Sequence, residues 1–183
     1  MLPNAHGAAM LPPLVQVALR PLPLAPLQPL LALVLRAVLR RHPAIFDRLG
    51  AHAGKRFGLR PTDLPFALLL TPSPSAPRIA ALRRLPRCGI DARITGPLLG
   101  LVGLAEGEMD GDALFFSRTL TVEGDMEAVL ALRNAMDGEG LDLVRDTAAA
   151  LGPLAPLALR AGLGGRRLLE RLARPRGAAP AWN

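Results

Sequence analysis

The sequence predicts an α+β domain: a mostly antiparallel sheet of about five strands with helices packed on it. Three observations predict it. Short alternating or continuous apolar stretches recur between residues 56 and 123, separated by turns rich in proline and glycine. Segments with helical apolar spacing flank them on both sides. Half of the 183 residues are hydrophobic yet only 3% are aromatic, so the interior is leucine, alanine and valine. A chain of this length supports one domain with additional arms.

The elements follow in order. Residues 1–29 are rich in Pro, Ala and Leu, contain no acid, and read as a loosely ordered arm. Leu31, Val34, Leu35, Val38 and Leu39 predict a helix over Leu30–Arg41, stopped by Pro43. A short helix over Ala44–Leu49 should end at Gly50. Strands are expected at Arg56–Arg60, Pro65–Thr71 and, less distinctly, Arg78–Leu85. Cys88–Thr95 is the clearest strand, with Ile90, Ala92 and Ile94 on one face and Asp91, Arg93 and Thr95 on the other. Gly96-Pro97 opens a short apolar helix, Leu98–Leu104, and an acidic loop leads into a strand over Thr119–Glu123.

After Gly124 the spacing turns helical. Ala128, Val129, Leu132, Ala135 and Met136 form a stripe that Met126 and Leu130 widen, so this helix calls for cover on more than one side. Two further helical segments, about Leu141–Leu151 and Leu154–Arg174, precede a Pro/Gly/Ala tail, and Gly162-Leu163-Gly164-Gly165 suggests a flexible break. The organisation is an arm (1–29), a domain (30–137), and C-terminal helices with a basic tail (138–183).

Charge is segregated along the chain. Residues 1–105 carry thirteen Lys+Arg against Asp47, Asp63 and Asp91, residues 106–146 carry eleven acids against three arginines, and the remainder is basic again. Such segregation bears on partners rather than on fold. The acidic region suits a basic partner protein. The C-terminal segment interleaves Leu163, Leu168, Leu169 and Leu172 with Arg166, Arg167, Arg171 and Arg174. That pattern fits contact with an anionic membrane surface, or equally a solvated helix face. Nucleic acid is disfavoured, because there are no aromatic platforms and no DNA-binding motif.

Cys88 is the single cysteine, so no internal disulfide forms, and it is expected as a buried or half-buried strand residue. The N-terminus lacks a basic region ahead of its apolar run, and Leu30–Leu39 falls short of the roughly 20 apolar residues of a membrane helix. A cytoplasmic protein is the expectation, with peripheral association at the inner membrane through its basic arms.

Signs of catalysis are sparse. Ser73, Ser75 and Ser117 are the only serines, His6, His42 and His52 lack metal-ligand spacing, and no glycine pattern fits a phosphate loop. No metal, cofactor or catalytic residue is expected. The acids Glu123, Asp125 and Glu127 cluster where strand turns to helix. Asp125 behind Gly124 reads as an N-cap and Glu127 as a first-turn acid, against the alternative of an acid–base pair.

The same region carries a family resemblance. The segment DALFFSRTLTVEGDMEAVLALRNAMD resembles the signature of UbiT-type accessory factors of oxygen-independent ubiquinone biosynthesis, which are built on a sterol carrier protein type 2 domain. The matching positions include Asp112, Phe115, Phe116, Arg118, Glu123, Gly124, Asp125, Glu127, Asn134 and Asp137; Arg133 and Met126 depart from the pattern. The resemblance implies a mixed sheet enclosing a hydrophobic tunnel, and a non-catalytic role. Polyprenylated quinone intermediates would be the ligands, and iron–sulfur proteins of the U32 peptidase-like family the partners.

An isoprenoid tail needs a long apolar cavity, and each buried methylene contributes roughly 0.8 kcal/mol. The expected walls are Leu98, Leu101 and Leu104 on one helix and Met126, Val129, Leu130, Leu132 and Met136 on the other. Phe115 and Phe116 would line a mouth or pack in the core. Two alternatives stand beside this reading. One is a general lipid or sterol carrier; the other is an enzyme using the tunnel as its active site, with Glu123, Asp125 or Arg118 at the chemistry.

Overall fold

The computed structural model describes Val17, Arg20, Pro21 and residues 23–106, 120–137, 140–151 and 155–173. The expectations that fall on 107–119, including the acidic loop, Phe115, Phe116 and Arg118, lie outside these residues.

Helix α1 (Leu27–Arg41) opens the domain. It starts earlier than the expected Leu30, with Pro29 inside its first turn. First-turn N–H groups have no acceptor within the helix, so a proline there costs no hydrogen bond. Arg40 and Arg41 lie in the last turn, where cations suit the carbonyl end of the dipole. The expected Ala44–Leu49 helix is instead a series of turns leading into a 3-10 segment, Asp47–His52. Gly50 turns the chain inside that segment at φ 50°, a left-handed conformation that glycine adopts without steric cost. Ile45, Phe46 and Leu49 are nonetheless buried, so the stretch plugs the core.

Strands β1 (Phe57–Pro61), β2 (Ala67–Thr71), β3 (Arg78–Leu82), β4 (Ala92–Gly96) and β5 (Thr121–Gly124) form one sheet. Their order is β3-β2-β1-β4-β5. All neighbouring pairs are antiparallel except the central β1 and β4, which run parallel. Register sorts the side chains by face. Phe57 lies opposite Leu70 and Ala92, Leu59 opposite Leu68 and Ile94, and Val122 opposite Ile94. The alternate positions, Gly58, Arg60, Arg93 and Thr95, belong to the other face.

Strand β4 begins at Ala92, later than the expected Cys88. Gly89 is at φ 75°, which ends extended pairing upstream. Cys88 is accordingly an exposed free thiol and not a buried strand residue. Asp91 then clips three elements together. Its carboxylate accepts the Arg56 N–H at 2.7 Å, and its carbonyl accepts the Asp125 N–H at 2.9 Å.

Edge strand β3 is covered by a side chain. Gln28 donates to the Ala81 carbonyl at 2.7 Å and accepts the Ala81 N–H at 3.2 Å, standing in for the missing neighbour strand. Helix α1 packs on β3, while α2 (Leu98–Glu106) and α3 (Met126–Asp137) pack on the sheet near β1 and β4. Helix α4 (Leu143–Ala150) lies on α1, and α5 (Ala155–Ala173) lies on α4. Carboxylates cap the starts of α2 and α4: Asp63, 1% exposed, accepts the Leu98 N–H at 2.9 Å, and Asp142 accepts the Arg145 N–H at 2.8 Å.

The glycines of α5 do not break it. The helix runs through Gly162, Gly164 and Gly165, and a Cβ at Gly162 would stand 2.7 Å from a Val144 methyl. Gly162 therefore lets α5 approach α4 closely, and that contact outweighs the helix-weakening tendency of glycine.

Candidate functional site

The three acids at the strand-to-helix switch take separate structural roles. Asp125 Oδ1 accepts the Ala128 N–H at 3.0 Å, which caps α3. Its Oδ2 meets Lys55 Nζ at 2.8 Å, tying α3 to the segment ahead of β1. The Lys55 hydrogen bond, followed by that of the Ala128 N–H, holds the Asp125 carboxyl below its ordinary range. The same hydrogen bond raises the Lys55 ammonium above its own. A general acid at neutral pH needs the opposite shift of a carboxyl. Glu123 pairs with Arg93 across β4 and β5 at 3.0 Å, and Glu127 is exposed in the first turn of α3. Arg118 lies outside the described residues.

The expected wall residues separate into two groups. Leu101, Leu104, Val129 and Leu132 are buried in one apolar cluster with Phe57, Ile94 and Ala128 from the sheet and from α3 itself. Leu98 is half-buried, and Met136 packs partly buried against that cluster. Met126 and Leu130 instead face outward, 54% and 53% exposed. They are one helical turn apart, so α3 carries a short apolar strip on the side away from the core. Cover on a second side, expected from the width of its stripe, is thus missing at these two positions.

The basic C-terminal helix is likewise split. Arg166 points inward: its Nη1 lies 2.7 Å from Oε2 of Glu106, whose side chain is 2% exposed. Glu106 Oε1 also accepts the Leu143 N–H at 3.0 Å, so this carboxylate joins α2, α4 and α5. Arg166 is therefore removed from the expected membrane-facing set, and Glu106 from the acids available to a partner. Arg160, Arg167 and Arg171 remain exposed, beside exposed Leu157, Leu163 and Leu168. Arg174 lies outside the described residues. Another buried acid, Asp146, meets Arg41 Nε at 3.4 Å and His42 Nε2 at 3.3 Å, holding α4 to the end of α1.

Sequence reasoning missed Lys55, Glu106 and Asp146 as connecting residues. Each has its partner far along the chain, so no local spacing marks it. Among the described residues, no group of three or more His, Cys, Asp or Glu is arranged to hold a metal ion. No helix among them is long and apolar enough to cross a membrane.

A five-stranded, mostly antiparallel sheet with helices packed on it over an apolar layer defines an α+β sandwich of sheet and helices. Residues 35–137 match the model of the SCP-2 sterol transfer family, more than half of the chain, and the chain belongs to that family. Solved structures with a similar fold include "UbiJ-SCP2 Ubiquinone synthesis protein", at 21% identity and TM-score 0.47, covering 78% of this chain and 98% of that one. Sterol Carrier Protein 2 from Yarrowia lipolytica in its apo form is similar at 13% identity and TM-score 0.44, over 62% and 91%. The sterol carrier protein domain 2 of Helicoverpa armigera is similar at 12% identity and TM-score 0.40, over 76% and 94%. A comparison with curated proteins finds no match.

Proposed function

We propose that this protein is a non-catalytic, lipid-binding accessory factor of oxygen-independent ubiquinone biosynthesis that holds polyprenylated intermediates. Family membership supports lipid binding; the resemblance of the 112–137 segment to the signature of the UbiT-type factors carries the narrower reading. The architecture is compatible with it. The layer between α2, α3 and the sheet is apolar, and Asp125 and Glu123 are engaged in capping and ion pairs. The exposed strip of Met126 and Leu130 is the suggested place where a lipid tail reaches α3.

The U32 peptidase-like iron–sulfur proteins are the suggested protein partners, meeting the acidic region through its exposed members Glu123, Glu127 and Asp137. The exposed leucines and arginines of α5 are the suggested membrane-contact face. Neutralising Arg167 and Arg171 should reduce sedimentation with anionic vesicles; unchanged sedimentation would remove that face from the account. The function itself is tested by native mass spectrometry of protein purified from cells grown without oxygen. A co-purifying polyprenyl phenol is expected. Mixed phospholipid alone would point to a general carrier instead.

A further inference from the structure

The sheet face opposite the apolar core carries a feature that lipid-tail binding does not use. An open cleft of about 830 Å³ lies at the end of β1 and β2 and is lined by Arg20, Arg60, Arg83, Arg84 and Arg93. Its apolar lining includes Leu64, Phe66 and Leu85, and no acid stands among the described lining residues. Asp63, beside Leu64 in the sequence, is buried and accepts the Leu98 N–H at the start of α2.

The cleft is a built feature of the fold. Arg60 and Arg93 share one face of the sheet by strand register, on the paired strands β1 and β4. Arg83 Nη1 donates to the Arg20 carbonyl at 3.0 Å, which ties the segment before α1 to the end of β3. Gly58 makes room for the lining. A Cβ there would stand 2.8 Å from a Leu85 methyl, so the bare backbone lets Leu85 lie against the sheet. Glu123 pairs with Arg93 at 3.0 Å and is itself largely exposed.

Guanidinium groups stay charged throughout the physiological range, and gathering several in one cleft is unfavourable until an anion enters. Their planar forks match phosphate oxygens in pairs. The volume exceeds what a bare phosphate needs and falls in the range of organic ligand sites, while the apolar lining suits a hydrocarbon body. We infer that this cleft binds a phosphate- or diphosphate-bearing amphiphile, with the arginines on the phosphate and Phe66, Leu64 and Leu85 against the apolar part. The phosphate belongs either to a lipid headgroup in a membrane or to a free prenyl diphosphate.

The test uses the full chain, its Arg60→Ser/Arg84→Ser variant and its Arg167→Ser/Arg171→Ser variant. Both pairs are exposed, and circular dichroism checks that each variant is folded. Calorimetric titration with farnesyl diphosphate is run beside sedimentation with phosphatidylcholine vesicles, with and without phosphatidylglycerol. Saturable binding of farnesyl diphosphate, weakened about tenfold or more in the cleft variant and unchanged in the helix variant, supports the free-ligand source. Sedimentation that depends on phosphatidylglycerol and is weakened in the cleft variant, without farnesyl diphosphate binding, supports the headgroup source. Absence of both, or binding that the cleft variant retains in full, overturns the inference. Neither outcome depends on what occupies the apolar interior, so the proposed function stands or falls separately.

Discussion

Gly124 shows how one residue fixes the switch between strand and helix. It sits at φ 91°, and a Cβ there would collide with the Asp91 carbonyl oxygen, the acceptor of the Asp125 N–H. Gly124→Ala should therefore combine a left-handed backbone penalty with a steric clash and cost about 2–3 kcal/mol in urea unfolding. The neighbouring Asp125 predicts a pH dependence. Its carboxyl is depressed in the folded state, so its contribution is present above the ordinary carboxylate pKa and fades as pH falls through the depressed value. Lys55 is raised, so its share is present below the ordinary lysine pKa and fades as pH climbs through the raised value. Lys55→Met should lower the melting temperature near about pH 7 and flatten the acid limb of its pH profile, read by scanning calorimetry. Of these relations, the cap was legible in the sequence, because donor and acceptor are three residues apart. The lysine, 70 residues from Asp125, was not.

Among the elements, the ones read well are those whose evidence is local. Helical spacing placed α1 and α3, an apolar run behind Gly96-Pro97 placed α2, alternation placed β1 and β5, and an apolar run placed β2, while β3 fell in a stretch whose pattern was ambiguous. The misses have tertiary causes. Gly89 delays β4, Gly50 bends the 3-10 segment, and the glycines of α5 stay helical because Gly162 meets Val144. The docking of α5 depends on Arg166 against Glu106, a contact across 60 residues. Arg166→Ala would remove this ion pair from the buried Glu106 carboxylate, a loss of about 3 kcal/mol. Limited proteolysis should then cut between α4 and α5 more readily than in the native chain. At the sheet edge, Gln28→Ala would free both backbone groups of Ala81. A loss of about 1–2 kcal/mol and a greater tendency to aggregate are expected, measured by unfolding and light scattering.

At the scale of the whole molecule, the sequence indicated a mostly antiparallel α+β domain but not which strands neighbour one another. The parallel β1–β4 pair brings together segments separated by more than thirty residues, and hairpin spacing carries no trace of it. The same is true of the two sheet faces. Their separation into an apolar layer and an arginine-lined cleft depends on register, so the thirteen cations of residues 1–105 gave a charge excess without a location. The candidate walls show the complementary effect. A broad apolar stripe was legible on α3, yet only the structure distinguishes buried Val129 and Leu132 from exposed Met126 and Leu130. Replacing Met126 and Leu130 together by serine should leave stability nearly unchanged and reduce lipid uptake. Loss of fold without change in uptake would assign them to packing.

The central proposal is that this chain holds a polyprenylated intermediate. The most direct measurement is extraction. Purified protein is incubated with vesicles containing a polyprenyl phenol, the vesicles are removed by centrifugation, and the lipid left with the protein is quantified. The account predicts saturable extraction of the phenol in preference to the bulk phospholipid. A supernatant containing protein but no polyprenyl lipid would contradict it.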